Sequence, residues 1–253
     1  MGKIYAIVSG KGGTGKTTTT INLGAALTKF KSDVIIVDAN LTTPNLSLYL
    51  GAPVVPISLP HVLQKKARIE DAIYEHHSGM KIVPSSLSLK DLKKINYHLL
   101  KDTMESLKKI SDHVILDSAA GLGEESIKPI EVSDGVIVVV NPNILSVTDA
   151  LKTIKIAKDL DKEVLGAIVT RVTYDDSEMS IKSIQEMLEV PILGIIPEDK
   201  SVHKSLAKRN AVIHTHPRSK ASKSYIDVAA KLLGKRRKKK FFERFLERLG
   251  LKK

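Results

Sequence analysis

Apolar and polar positions follow two alternating patterns along the chain. Short runs rich in Val and Ile, typical of strands buried in a parallel sheet, occupy residues 3–8, 34–38, 80–83, 113–117, 135–140, 164–170 and 192–196. Between them, apolar residues recur with helical spacing, which predicts helices that include residues 21–27, 89–110, 147–160, 181–188 and 220–233. Strands and helices therefore alternate along most of the chain.

This alternation predicts an α/β fold, in which helices flank a doubly wound, mostly parallel sheet. A chain of 253 residues can bury a substantial core in one such domain, and no linker is evident before Gly234. We expect an α/β domain at residues 1–234 and a separate tail at residues 235–253. Ligands of such sheets bind beyond the carboxyl ends of the strands, so functional residues are expected there.

A glycine-rich segment, SGKGGTGKTTTT, joins the first predicted strand to the first predicted helix at residues 9–20. From Gly10 it has the spacing GxxxxGK[ST] of a phosphate-binding loop, whose backbone N–H groups surround di- or triphosphate oxygens. Lys16 is expected to reach the β- and γ-phosphates, and the Thr17 hydroxyl is expected to ligate Mg²⁺. The predicted nucleotide-binding residues are Gly12, Gly13, Thr14, Gly15, Lys16, Thr17 and Thr18.

Two aspartates end predicted strands at the same edge of the sheet. Asp38 ends the run DVIIVD, and Asp117 ends the run HVILD. Beside a phosphate-binding loop, such an aspartate commonly holds the Mg²⁺ of a nucleotide or orients the attacking water. Strand-end aspartates are also common as turn or helix-cap residues. Together with the loop, they predict a metal site formed by Thr17, Asp38 and Asp117.

The composition and the distribution of apolar residues exclude several classes of site and location. The chain has no cysteine, which excludes disulfides, thiolate metal sites and cysteine-held iron–sulfur clusters. The glycine loop interrupts the first apolar run, so a signal peptide is not expected. Apolar runs also stay well below the about 20 residues that cross a bilayer. The expected location is therefore the cytoplasm.

Four segments resemble the MinD/ParA family of dimerising ATPases, a SIMIBI-type group of P-loop NTPases, and most closely its archaeal MinD-like members. KGGTGKT (residues 11–17) resembles the deviant phosphate loop of that family. VDANLTTPNLSLYLG (residues 37–51) resembles its first switch, and ILDSAAGLG (residues 115–123) resembles its second switch. IPEDKSVHKSLAKRNAV (residues 196–212) resembles its adenine-side loop and following helix, so the similarity extends over about residues 1–234.

The resemblance implies an ATPase that uses ATP and Mg²⁺, dimerises around the nucleotide and acts as a spatial regulator, for example of the division site. Lys11, the second lysine of the loop, is implied to cross the dimer interface and contact phosphates bound by the other subunit. A cation there would stabilise charge that accumulates during phosphoryl transfer. The implied catalytic residues are Lys11, Lys16 and Asp38, and the second switch adds Asp117 and Gly121 to the nucleotide contacts.

Three positions depart from the family pattern. Asn40 stands where many bacterial members have a second acid, and an amide cannot take a proton from water at neutral pH. We therefore place the main hydrolytic role on Asp38 and expect slow, partner-stimulated turnover. Ala119 replaces the common proline of the second switch, which implies a looser segment. Thr170 replaces the common adenine-contacting asparagine, so adenine contacts are expected from Arg171, Pro197 and Glu198.

The tail, KRRKKKFFERFLERLGLKK, has ten basic and two acidic residues and carries +8 of the net charge of +12. On a helical wheel its apolar side chains form one arc, opposite charged side chains such as Glu243 and Arg244. A basic segment followed by an amphipathic helix is typical of an interfacial membrane anchor, and MinD proteins resemble this arrangement. The predicted membrane contacts are Lys238, Lys239, Lys240, Phe241, Phe242, Phe245, Leu246 and Leu249.

Alternatives remain for the tail and for the whole chain. The tail could bind nucleic acid through its basic residues, or its apolar arc could dock on the domain or on a partner helix. The chain could be a ParA-like partition ATPase that binds DNA nonspecifically, or a regulator of surface appendages. The expected partners are a second copy of the chain, an anionic surface on the inner face of the cell membrane, and an activating protein.

Overall fold

The computed structural model describes residues 2–51, 54–93 and 95–235. The strands are β1 (Lys3–Val8), β2 (Val34–Asp38), β3 (Tyr74–Glu75), β4 (Lys81–Val83), β5 (His113–Asp117), β6 (Gly135–Val140), β7 (Glu163–Val172) and β8 (Ile192–Pro197). The helices are α1 (Lys16–Lys29), α2 (Leu46–Leu50), α3 (Leu59–Leu63), α4 (Leu99–Lys109), α5 (Glu124–Val132), α6 (Ile144–Asp159), α7 (Ile181–Leu188), α8 (Lys200–Ala207), α9 (Val212–Thr215) and α10 (Lys220–Leu232).

The predicted membrane contacts, from Lys238 to Leu249, lie outside the described residues. Within the part of the chain that is described, no helix combines the length and apolar character needed to cross a membrane.

The strands form one sheet in the order β3-β4-β2-β5-β1-β6-β7-β8. Neighbouring strands are parallel except at the edge, where the two-residue strand β3 pairs with β4 in antiparallel fashion. From β1 the chain passes to β2 on one side, and from β5 it passes to β6 on the other, so the winding reverses beside β1. This confirms the predicted doubly wound, mostly parallel sheet and places its ligand crevice at the carboxyl end of β1.

The core lies on both faces of the sheet because successive strand residues point to opposite sides. Tyr5 and Ile7 of β1 pack with Ile21 of α1 and Tyr225 of α10 on one face. Ile4 contributes to a second cluster that includes Met104 of α4. Ala6 and Val8 join a third cluster with residues of α6 and α7. Fully buried strands explain why the strand runs are apolar throughout rather than alternating.

The predicted strands are confirmed, and four of them match to the residue: 3–8, 34–38, 113–117 and 135–140. The continuous helix predicted at 89–110 is wrong. A short 3₁₀ turn covers Leu89–Leu92, and α4 begins only at Leu99. The Gln64 side-chain amide donates to the carbonyls of Asp91 and Lys93, at 2.5 and 2.9 Å. Because these tertiary hydrogen bonds use carbonyls that a helix would need, the local helical preference is overridden.

The contact between β8 and α10 leads to a stability prediction. A Cβ atom built at Gly194 would lie 2.2 Å from Cγ2 of Val228. We expect Gly194→Ala to lower the free energy of unfolding by about 1–3 kcal/mol, because the helix must move away from the sheet. Urea denaturation measures this change. Val228→Ala, tested alone and together with Gly194→Ala, is the control. The free energy of unfolding of the double variant should fall by less than the sum of the two single losses. Losses that simply add would contradict a steric conflict between the two residues.

Candidate nucleotide-binding site

The phosphate-binding loop joins β1 to α1 and has glycines at positions that its backbone conformation and its contacts require. Gly13 and Gly15 have φ values of 78° and 95°, which favour glycine. A Cβ atom at Gly10 would lie 2.3 Å from the backbone of Asp149 in α6, so the loop starts in close contact with that helix. A Cβ atom at Gly12 would meet nothing within 4 Å. The loop therefore has an open side, and the N-terminus of the 14-residue helix α1 adds the positive end of its dipole.

Two side chains outside the loop stabilise it through hydrogen bonds. The Thr170 hydroxyl donates to the Thr14 carbonyl at 2.6 Å, and the Asn141 amide donates to the Thr170 hydroxyl oxygen at 3.0 Å. Thr170 is buried and directed at the loop. Asn141 was not predicted, although its position directly after β6 at the carboxyl edge was an available signal.

The two loop lysines have different surroundings. The Lys16 ammonium is buried inside the loop and donates to the Ser9 hydroxyl at 2.8 Å. Burial lowers the pKa of Lys16, and the attraction of Asp117 opposes that shift. Lys11 is half-buried, and its carbonyl accepts from the Ser9 hydroxyl at 2.7 Å. Ser9 thus connects both predicted lysines, while Thr17 and Thr18 follow in the first turn of α1.

Asp38 and Asp117 lie opposite each other where β2 and β5 end. They are register partners in the parallel pair, and both are fully buried. The Thr17 hydroxyl donates to one carboxylate oxygen of Asp117 at 2.6 Å, and the Thr20 hydroxyl donates to the other at 3.3 Å. The structure therefore brings together the three predicted metal ligands Thr17, Asp38 and Asp117, with Lys16 close enough to affect the pKa of Asp117.

Burial dominates the electrostatics of this acidic pair. It raises the pKa of Asp117 to about 6, against the opposing effects of the Thr17 hydroxyl and Lys16. The pKa of Asp38 lies well above its usual range because of burial first and the Asp117 carboxylate second. Backbone N–H groups of the first switch reduce that shift without cancelling it. Both carboxylates therefore lack a full compensating charge among the described side chains.

This donor set suits a hard divalent cation. Mg²⁺ prefers carboxylate and hydroxyl oxygens, and Thr17, Asp38 and Asp117 supply these at the N-terminus of α1. The open glycine loop beside them is suited to phosphate oxygens. Buried, undercompensated carboxylates next to a phosphate-binding loop are the arrangement that a magnesium nucleotide would complete.

The first switch folds back onto Asp38. One Asp38 carboxylate oxygen accepts from the Asn40 N–H at 3.3 Å, and the other accepts from the Leu46 N–H at 3.1 Å. The Asn40 side-chain amide donates to the Thr43 carbonyl at 2.6 Å. Asn40 therefore stabilises the loop of the first switch in this structure. The Asp38 carboxylate joins the start of that loop, at Asn40, to its end, at Leu46.

The second switch is fastened to β1. The Ser118 hydroxyl donates to the Ile7 carbonyl at 2.6 Å, and the Gly121 N–H donates to the Ser9 carbonyl at 3.3 Å. Gly121 has a φ value of 89°, in the region that favours glycine. The looser segment expected from Ala119 is opposed by these bonds, which place the predicted Gly121 directly beside the phosphate-binding loop.

The predicted adenine-side residues meet at the same edge of the sheet. Val172 pairs with Pro197 where β7 and β8 end, and the Glu198 N–H donates to the Val172 carbonyl at 2.9 Å. Arg171 is exposed and has a φ value of 57° at an irregularity of this pair. Arg171, Pro197 and Glu198 therefore lie close together along the strand ends, and their contact with a base stays a prediction.

Comparisons with known proteins agree with this geometry. The family model of the CobQ/CobB/MinD/ParA nucleotide-binding domain matches residues 5–212. An ATP-binding protein of Methanocaldococcus jannaschii is 40% identical over 251 residues, covering 96% of this chain and 95% of that protein.

Two solved structures extend the comparison. The septum site-determining protein MinD from Pyrococcus horikoshii, complexed with Mg-ADP, has a TM-score of 0.88 and 34% identity, covering 92% of this chain and 96% of that one. MinD in the MinC–MinD cell division protein complex from Aquifex aeolicus has a TM-score of 0.85 and 28% identity, with coverages of 94% and 98%.

The raised pKa of Asp117 predicts a pH-dependent stability. Because the folded pKa of about 6 lies above the usual value of 3.8, the folded chain holds this proton more tightly than the unfolded chain. The contribution of the protonated Asp117 carboxyl to the free energy of unfolding is fully present at low pH. It is lost as the pH rises from about 4 to about 6. Asp117→Asn stays neutral, so it should gain on the order of 2–3 kcal/mol relative to the unchanged chain over this range.

Chemical denaturation in buffers free of Mg²⁺ and nucleotide measures this difference at several pH values. Asp159→Asn, on the exposed end of α6, is a control that should show little change. A stability difference between Asp117→Asn and the unchanged chain that is the same at every pH would contradict the assigned environment.

Proposed function

The chain belongs to the CobQ/CobB/MinD/ParA family of nucleotide-binding domains, and from this premise we propose that it is a Mg²⁺-dependent ATPase that dimerises around ATP. In the ATP state it associates with the inner surface of the cell membrane and regulates the position of another assembly, such as the division machinery. Hydrolysis returns it to the cytoplasm. The similarity to MinD proteins solved with Mg-ADP and with MinC supports both a nucleotide switch and a protein partner.

The observation that carries this proposal is the second lysine of the phosphate-binding loop. Lys16 already places a cation inside the loop, next to Ser9 and within the field of Asp117. Lys11 precedes the open glycines and is only half-buried, so its ammonium can extend away from its own loop. A second copy facing this edge would bring Lys11 to phosphates bound by the other protomer, where it stabilises the interface and the transition state.

Exposed apolar side chains around the loop support such a dimer. Leu122 follows β5, Ile144 and Leu145 follow β6, and Tyr174 follows β7, so all four lie toward the carboxyl edge. Their exposed fractions are 44%, 53%, 69% and 72%. Apolar side chains gathered at one edge are typical of a surface that another protein covers. We assign this edge to a second copy of the chain.

Hydrolysis would use the residues already gathered at the strand ends. Bound Mg²⁺ would supply charge neutralisation for the phosphates, held by Thr17, Asp38 and Asp117. Lys16 orients the terminal phosphates, and Asp38 is the residue to which we assign the attacking water. Because Asp38 is fully buried and the first switch is hydrogen-bonded to both of its oxygens, we infer that the switch rearranges to admit the attacking water. This requirement supports slow turnover that a partner accelerates.

We assign membrane association to the tail. Each basic residue near an anionic surface contributes about 1 kcal/mol, and the apolar side chains from Phe241 to Leu249 add to this when inserted. The cost of ordering a helix leaves a single tail marginal. Two tails on one dimer gain an effective-concentration advantage of about 10²-fold. The nucleotide state would therefore determine whether the protein is bound to the membrane.

A DNA partition ATPase is the second candidate function. Exposed basic residues of α8 and the segment after it, including Lys204, Lys208 and Arg209, could contact phosphates of DNA. The segregated apolar arc of the tail favours lipid instead. Regulation of surface appendages would use the same membrane-bound dimer and differ only in the partner.

Changing each loop lysine separately tests the nucleotide proposal. We expect Lys16→Ala to abolish Mg·ATP binding in calorimetry, because the phosphates lose their cation within the loop. Lys11→Ala should keep nucleotide binding by the monomer nearly unchanged but prevent ATP-dependent dimerisation and hydrolysis. Sedimentation velocity with ATP measures the dimer.

Lys101→Ala, on the exposed surface of α4, is the control and should dimerise normally. Tight ATP binding by Lys16→Ala would overturn the nucleotide site. Normal ATP-dependent dimers of Lys11→Ala would remove the role of Lys11 across the interface.

The tail is tested by comparing two kinds of substitution in the full chain with ATP. Phe242→Glu combined with Leu246→Glu should abolish sedimentation with anionic phosphatidylglycerol vesicles, because charges on the inserted face are costly. Neutralising Lys238, Lys239 and Lys240 should weaken binding gradually and in a salt-dependent way. Arg244→Gln with Arg248→Gln changes the net charge by the same −2 on the polar arc and should weaken binding only modestly.

DNA binding predicts the reverse ranking. The lysine substitutions would then be severe and the Phe242 and Leu246 substitutions mild, and duplex DNA would compete with the vesicles. That ranking would replace the membrane proposal with the partition proposal.

A further inference from the structure

The Glu125 carboxylate connects segments that the phosphate site does not connect directly. One of its oxygens accepts from the Thr42 N–H at 3.2 Å. The other oxygen accepts from the Thr42 hydroxyl and from the Tyr97 hydroxyl, the latter at 3.4 Å. We call these contacts the Glu125 clasp. They join three segments that are far apart in the sequence.

The clasp lies between the two switches. Thr42 is in the first switch, within the loop that the Asn40 and Leu46 N–H groups close over Asp38. Glu125 is in the first turn of α5, directly after the second switch. The neighbouring Ser126 hydroxyl donates to the Ala120 carbonyl at 3.1 Å, so the start of α5 is fastened to the second switch itself. A displacement of either switch would therefore change the hydrogen-bond geometry at the Glu125 carboxylate.

Tyr97 extends the connection to the segment before α4. It lies two residues before Leu99, where α4 begins, and its side chain is half-buried. Burial and the Glu125 carboxylate both raise the pKa of the Tyr97 phenol. The Tyr97 phenol therefore stays protonated throughout the neutral pH range, so it can donate its hydrogen bond to Glu125 at any of these pH values.

The surroundings of Glu125 separate its role from that of an ordinary surface acid. Within the described residues, no ion pair within 4 Å includes Glu125, whereas Glu131 of the same helix pairs with Lys128 at 2.7 Å. The adjacent Glu124 is exposed in the same first turn, so it faces the same helix dipole without reaching Thr42. Interaction with the helix dipole alone accounts for Glu124 but not for the position of Glu125.

We propose that Glu125 is a positioning residue that makes the first and second switches move as one unit, so that a change at the phosphate site reaches the first switch and the start of α4. The inference rests on the proposed function, since it concerns the nucleotide response of the same site. Among the described residues, the contacts link Glu125 to Asp38 through Thr42 and the first switch, and to the second switch through the start of α5. Glu125 therefore acts on the chemistry by setting where these segments lie.

Hydrogen exchange of backbone amides in the full chain tests the coupling. In the unchanged chain, a non-hydrolysable Mg·ATP analogue should slow exchange in both switches, at residues 39–46 and 118–123. In Glu125→Ala the analogue should still slow exchange at 118–123, while residues 39–46 should exchange about 10-fold faster and respond little. Thr42→Val removes one donor from the opposite side and should show a weaker form of the same uncoupling.

Kinetics provide a second readout that a purely structural role would not change in this way. We expect kcat to fall about 10-fold in Glu125→Ala while the KM for ATP and the affinity for Mg·ADP stay within about twofold. Glu125→Gln keeps one acceptor oxygen and should recover part of the loss. Glu124→Gln removes the adjacent charge from the same helix turn and should behave as the unchanged chain.

The outcomes separate this inference from the proposed function. Failure of the unchanged chain to bind Mg·ATP would overturn both. Normal nucleotide binding, combined with an equal response of both switches in Glu125→Ala and Thr42→Val, would overturn the clasp alone. Equal losses in Glu124→Gln and Glu125→Gln would also overturn it, because general charge at the start of α5 would then explain the effect.

Discussion

Two carboxylates share one buried position at the end of the sheet, and the rest of the site is arranged around them. Asp38 and Asp117 are register partners with almost no exposed surface, and burial raises both pKa values. Holding them there requires β2 and β5 to pair in parallel and α1 to begin beside them, so that Thr17 and Thr20 can donate to Asp117. The Mg²⁺ of a bound nucleotide would supply the positive charge that this arrangement lacks.

The same pair of buried acids lies beside both switches. The first switch covers Asp38 with two backbone N–H groups, and the second switch donates a Gly121 N–H to the carbonyl of Ser9 in the phosphate-binding loop. Each switch is therefore hydrogen-bonded to a residue of the predicted phosphate and metal site. In the function that we propose, nucleotide binding changes the partners of these groups, and the resulting movement assembles the dimer and presents its tails.

Strands, the phosphate-binding loop and the strand-end aspartates could be predicted because each has a local signature: a β-branched run, a glycine spacing or an acid after a strand. Other features depend on residues distant in the sequence. Gln64 interrupts the helix predicted at 89–110, Thr170 supports the phosphate-binding loop, and Glu125 accepts hydrogen bonds from Thr42 of the first switch. No periodicity or motif encodes such contacts, because they are set by how the elements pack.

We propose a nucleotide-dependent membrane switch in which the loop, the acids and the tail act in one cycle. Sedimentation of the full chain with anionic vesicles in the presence of ATP, ADP or no nucleotide, beside a chain that ends at Gly234, measures this directly. We predict strong vesicle binding with ATP, weak binding with ADP or without nucleotide, and no binding of the shortened chain in any nucleotide condition. Equal binding of the full chain in all three nucleotide conditions would contradict this prediction.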